Sequence, residues 1–111
     1  MRHVVYWCDD ARAHLAPSGG TGSARAEPAD DADWPPVPPG LDEPQWQRIV
    51  EGLIASHRAL VNAVKLLSPD RLAARVPGRN VTFEDMLRGV VEHAAYHGGQ
   101  IAILKRKAAG A

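Results

Sequence analysis

Two long segments of this chain carry apolar residues at spacings of three and four, the repeat of an α-helix with one buried face. The first stripe consists of Ile49, Leu53, His57, Leu60, Val64 and Leu67. The second stripe consists of Met86, Val90, His93, His97, Ile101 and Leu104. Stripes of this length predict an all-α protein built from amphipathic helices that pack against one another.

Helix-start and helix-stop signals divide the chain into three main helices. They are predicted at residues 2–15, from Asp42 or Glu43 to about Leu67, and from the N-cap Thr82 to about Lys107. The run VVYW in the first would also suit a strand, but no second segment of similar character exists to pair with it. Between the last two helices, PDRLAARV predicts a single helical turn and PGRN a tight turn.

Residues 16–40 are rich in Gly, Pro, Ser and Asp, a composition that disfavours helix. We expect a long flexible loop, in which Trp34 is the residue suited to pin the segment to the bundle. With 111 residues the chain is long enough for one modest core. The prediction is therefore a single domain, residues 1–111, folded as an antiparallel helical bundle with a long Pro/Gly-rich loop.

Composition excludes several classes of function. The 13 basic and 13 acidic residues balance, whereas nucleic-acid binding needs clustered excess Lys and Arg. No stretch approaches the roughly 18 apolar residues of a membrane span. Cys8 is the sole cysteine, which precludes an internal disulfide and favours a reducing compartment, and no secretory signal is visible. We expect a cytoplasmic protein with neither nucleic acid nor membrane as a partner, and a buried, inert Cys8.

His93 and His97 stand four residues apart on the apolar face of the third helix, a spacing that lets two imidazoles reach one metal ion. Gln100 follows on the same face. Gly98 and Gly99 cost the helix about 1 kcal/mol each relative to Ala, and they leave space for a ligand or a neighbouring helix. A packed or solvated histidine pair is the alternative interpretation, and it is the commoner one.

A catalytic metal site needs a third protein ligand. His57 lies within the apolar stripe of the second helix, where a core histidine bonded to a carbonyl is the plainer interpretation. His14 is expected to be solvated near a helix end. His3 shares a helical face with Trp7 and Asp10. Spacing alone leaves the choice among the three histidines open.

The segment HAAYHGGQIAILKR resembles the last helix of the DinB/YfiT-like metalloenzymes, whose pattern there is H-x3-H-x-G-Q-I followed by Leu and basic residues. RHVVYW is similar to the family helix that carries the first metal histidine, and DADWPPVP to the loop that often follows. SHRALVNAVKLLSPDRLAARVPGRNVTFEDMLRGVVEH matches the remaining helices. The family's pattern also places a helix before the segment around His3, so the resemblance implies three main helices of a four-helix bundle.

The resemblance implies a divalent metal held by His3, His93 and His97, with Gln100 and His57 as residues that could support or replace a ligand. Relatives are often dimers, which predicts a homodimer here. Some use low-molecular-weight thiols in transfer or isomerisation. The expected function is metal-dependent thiol transfer or hydrolysis of a small substrate, with Zn, Ni or Fe as the ion. The alternative is a non-catalytic, dimeric helical interaction protein that has lost the metal chemistry.

Overall fold

The computed structural model describes residues 1–16 and 30–110, and within them the chain is helical without a named strand. The five helices are α1 (Arg2–Leu15), α2 (Asp30–Asp33), α3 (Glu43–Lys65), α4 (Pro69–Ala73) and α5 (Phe83–Ala108). This confirms the predicted all-α bundle with α1, α3 and α5 as its main helices. The predicted flexible loop lies partly outside the described residues, at 17–29, and its stretch 30–33 is helical rather than loop.

Side-chain caps fix where the two long helices begin. The Asp42 carboxylate accepts from the backbone N–H of Gln45, whose side chain in turn accepts from the Asp42 N–H. Thr82 and Asp85 make the same reciprocal pair at the start of α5. Each capping box satisfies two backbone donors that the first helical turn would otherwise leave unbonded.

The direction of the helices follows from the residues that meet. Ser56 donates a hydrogen bond to Asp9, while Leu15 lines a cavity with Ala63, so α3 runs parallel to α1. His3 lies beside His93, whereas Asp10, further along α1, pairs with Arg79 just before α5 begins, so α5 runs antiparallel to α1. Because α3 is parallel to α1, α3 and α5 are antiparallel and residues 66–82 connect them, whereas the longer segment 16–42 connects the parallel pair α1 and α3.

The core lies at the end of the bundle where α1 finishes and α5 begins. Its buried residues are Cys8, Ala11, Leu15, Leu60, Val76 and Phe83. Phe83 is completely buried, and the Arg71 guanidinium lies over its ring. Burial raises the pKa of the Cys8 thiol, and the charge of Asp9 raises it further, so the thiol is protonated and unreactive at neutral pH.

Next to this core a buried charge is paired across the bundle. Asp10 is 3 % exposed, and its carboxylate accepts from Arg79 at 3.1 Å. His14, expected to be solvated, is instead half-buried, with its Nδ1 2.7 Å from the backbone oxygen of Asp10. The turn at 77–80 places Arg79 beside Asp10. Gly78 makes this turn possible because it adopts a φ of 77°, which is unfavourable for other residues.

Within residues 1–16 and 30–110, none of the helices combines the length and the hydrophobicity that a membrane crossing requires.

Candidate metal centre

Three histidines from two helices meet at the other end of the bundle. His3 comes from the first turn of α1, and His93 and His97 come from successive turns of α5. Their Nε2 atoms converge: His3 Nε2 is 2.9 Å from His93 Nε2, and His97 Nε2 is 3.1 Å from it. These residues, the histidine cluster, each offer one ligand atom, and the three atoms lie within 4.8 Å of one another.

The outer nitrogens of two cluster histidines face oxygen atoms. His3 Nδ1 is 2.7 Å from Oδ1 of Asp33 and 2.9 Å from the backbone oxygen of the same residue. His97 Nδ1 is 2.8 Å from Oε1 of Gln100. These oxygens can only accept, so each Nδ1 carries the hydrogen. When these rings are neutral, the Nε2 atoms of His3 and His97 carry no hydrogen, and each directs a lone pair at the centre of the cluster.

This tautomer assignment gives the cluster more acceptors than donors. A neutral His93 has one ring hydrogen at most to share with two converging lone pairs. A bound cation removes the imbalance, because all three lone pairs can then point at it. Convergent, partly desolvated nitrogen lone pairs are the property that distinguishes a metal site from a packed histidine pair.

The spacing of the nitrogens also fits a metal ion. Ligands about 2.05 Å from a tetrahedral zinc ion lie about 3.3 Å apart, a separation set by the tetrahedral angle. Two of the three Nε2 separations, 2.9 and 3.1 Å, differ from this value by only a few tenths of an ångström, and the three ligand atoms together lie within 4.8 Å. The cluster could therefore hold a metal ion.

The charge state of His93 agrees with its position in the cluster. Desolvation lowers the pKa of His93 below its ordinary value, and the charges of His97 and His3 lower it further, against a smaller opposing effect from Asp33. His93 is therefore neutral at neutral pH, which is the form that binds metals.

Aromatic rings enclose His3. The Trp34 indole stacks on its imidazole, with centroids 3.8 Å apart and planes 10° from parallel. Trp7 donates its indole N–H to Oδ1 of Asp33 at 2.8 Å. Asp33 is thus held by Trp7 while it holds His3, and the ring of His3 is fixed on its edge and on one face. The expected pinning role of Trp34 agrees with this contact.

A family model of the DinB superfamily matches residues 1–101. The chain belongs to the DinB superfamily. Searches among curated proteins and among solved structures found no match. Membership in the DinB superfamily accords with the resemblance of the segments around His3 and from His93 to Ile101, and these are the segments that carry the histidine cluster.

The DinB chain brings together His3, His93 and His97 as a group that could hold a metal, with Gln100 bonded to His97. His57 does not join them: it is exposed on α3, because the buried face of that helix passes through its neighbour Ser56 instead.

Sequence reasoning missed Asp33, although it stands beside Trp34 in the segment DADWPPVP. An acidic residue next to an aromatic one in a loop that follows a histidine helix is the signal that could have pointed to it. Gly98 and Gly99 have open space where a Cβ would stand, so the described chain contains no close neighbour that demands glycine at either position.

Proposed function

We propose that this DinB chain is a metal-dependent enzyme that acts on a small substrate by thiol transfer or hydrolysis. The observation that carries the proposal is the convergence of three Nε2 atoms, two of them unprotonated because oxygen acceptors hold their Nδ1 hydrogens. A packing role for these rings would not require all three nitrogens to share one point.

Different residues of the chain would have different roles at such a site. His3, His93 and His97 would hold the ion, and their neutral rings would leave it its full positive charge. Asp33 orients His3, as carboxylates do for metal-binding histidines, and Gln100 orients His97. When bound, a divalent cation supplies the Lewis acidity that makes a water or a thiol nucleophilic at neutral pH.

The type of ligand atom narrows the choice of metal ion. Imidazole nitrogen suits Zn, Ni and Fe(II), whereas Mg and Ca prefer oxygen ligands. Three protein ligands leave further coordination positions for a substrate, which is the arrangement of catalytic rather than structural sites.

Metal analysis tests the proposal. Protein stripped of metal and dialysed against Zn, Ni or Fe(II) should retain about one equivalent of at least one ion per chain, as one three-histidine site predicts. His97→Ala should retain less than about half an equivalent, because two ligands hold an ion poorly. His57→Ala is the matched control, since it removes an exposed histidine outside the cluster. Uptake that survives His97→Ala and disappears in His57→Ala would contradict the assignment.

One feature favours the alternative, a dimeric helical interaction protein without catalysis. From Val91 onward, α5 exposes large apolar side chains. They are Val91, Tyr96, Ile103 and Leu104. Exposed apolar residues of this kind support association with a second copy. The same metal analysis separates the two functions, because the non-catalytic alternative predicts no uptake by the unchanged chain.

A further inference from the structure

Two cavities lie between α1, α3 and the segment that follows Trp34, and the first of them borders the histidine cluster. The first, of about 390 Å³, is bordered by His3, Trp34, Val37 and Trp46. The second, of about 470 Å³, extends between α1 and α3 to Arg48. The two cavities share Arg2, Pro35, Leu41 and Ile49 in their walls. They therefore adjoin, and we call the two together the cleft: its first cavity borders His3, and its second cavity reaches Arg48.

The part of the cleft next to the cluster is aromatic and apolar. Trp34 is 59 % exposed and Trp46 is 41 % exposed, and both face this space. Val37 and Ile49 complete the wall. Large aromatic surfaces left open beside a cavity of this size are typical of a site for an organic molecule, whose apolar body would cover them.

Two exposed arginines line the second cavity, and Arg2 lies at its junction with the first. Arg48 lines the second cavity alone and makes no hydrogen bond or ion pair with residues 1–16 or 30–110. Arg2 donates one N–H to the backbone oxygen of Pro36 at 2.9 Å, which leaves most of its guanidinium hydrogens unused. None of the described residues that line the two cavities carries a carboxylate. Two arginines without an acid among those described lining residues make the second cavity attractive to an anion.

We propose that the cleft binds a small organic carboxylate with an aromatic or aliphatic body. The carboxylate lies at Arg48 and Arg2, the body packs against Trp46 and Trp34, and the opposite end reaches His3. The inference names the substrate class of the proposed metal centre and rests on that proposed function for turnover. Binding itself needs only Arg48, Arg2 and the apolar wall, and it does not require a metal.

Calorimetry on the metal-free chain tests the proposal with two matched probes, 4-phenylbutyrate and the neutral 4-phenyl-1-butanol. We expect the acid to bind about tenfold more tightly, the effect of one charge-assisted hydrogen bond. Arg48→Gln should reduce the affinity for the acid about tenfold and leave that for the alcohol unchanged. Arg58→Gln, a charge removed from an exposed position of α3 outside the cleft, is the control and should change neither affinity.

The outcomes separate this inference from the proposed function. Equal affinity for acid and alcohol, no binding of either, or an equal loss in Arg48→Gln and Arg58→Gln overturns the carboxylate site. Zinc uptake is measured on the same preparations. Failed zinc uptake with intact selectivity for the acid overturns the metal centre alone, and lost selectivity with intact zinc uptake overturns the carboxylate site alone.

Discussion

The two ends of the bundle differ in what they bury. At one end, Phe83, Val76 and Cys8 are enclosed by aliphatic neighbours, and Asp10 is paired with Arg79. At the other end, histidines and tryptophans surround open cavities. About 14 residues of α5 separate Phe83 from His97, or roughly 21 Å along the helix. The comparison indicates that the buried core and the residues that could hold a ligand lie in different parts of the bundle.

The largest effect should come from removing a core side chain at the end of the bundle that contains Phe83, which we call the closed end; the end with the histidine cluster is the open end. Phe83→Ala removes a completely buried ring, and we expect the free energy of unfolding to fall by about 3–5 kcal/mol. Urea denaturation followed by circular dichroism measures this loss. Tyr96→Ala, which removes an aromatic ring that is 64 % exposed at the open end, should change stability by less than about 0.5 kcal/mol. Similar losses of stability for the two variants would contradict the expectation that the two ends contribute differently to folding stability.

A smaller and more selective effect is expected from Asp33→Asn. The variant keeps an oxygen near His3 Nδ1 but loses the charge, and zinc affinity should fall about 10–100-fold. The stability of the metal-free chain should change by less than about 1 kcal/mol, since Asp33 lies outside the core. Competition with a chromogenic chelator measures the affinity. Glu92→Gln, an equal loss of charge at an exposed residue beside His93, should leave the affinity unchanged; an equal drop would reduce the role of Asp33 to long-range electrostatics.

The smallest effect concerns the two helical glycines of the open end. Gly98→Ala and Gly99→Ala should each raise the free energy of unfolding by up to about 1 kcal/mol, because a Cβ meets open space at both positions. Gly78→Ala, in the turn with φ 77°, should destabilise the protein by about 1 kcal/mol. Thermal unfolding compares the three variants. A loss of stability at Gly98 or Gly99 would show that a ligand or a second chain approaches the helix there.

The sequence predicted the helices well because their signals are local. Periodicity located α3 and α5, and Thr82 with Asp85 marked the start of α5 to the residue. His93 and His97 were candidates from the same local rule. His3, 90 residues from His93, was placed only through the family resemblance, since no spacing rule spans that distance.

Features that depend on packing between helices escaped prediction. His57 was assigned to the buried stripe of α3, but α1 packs one position earlier, where Ser56 bonds to Asp9. The parallel course of α1 and α3 depends on the path of a long connection whose composition specifies no direction. Asp33 reaches His3 through that same connection, so its role becomes visible only when the helices are in place.

The position of the histidine cluster has a mechanical consequence. A cation shared by His3 and the two α5 histidines would act as a cross-link across a span of 90 residues. Only the folded chain brings the three ligands together, so an ion at 100 times its Kd would bind the folded state and add about 2.7 kcal/mol of stability. The end of the bundle that contains the histidine cluster would then be held together by the bound ion. Its rigidity would increase as the fraction of chains with a bound ion increases.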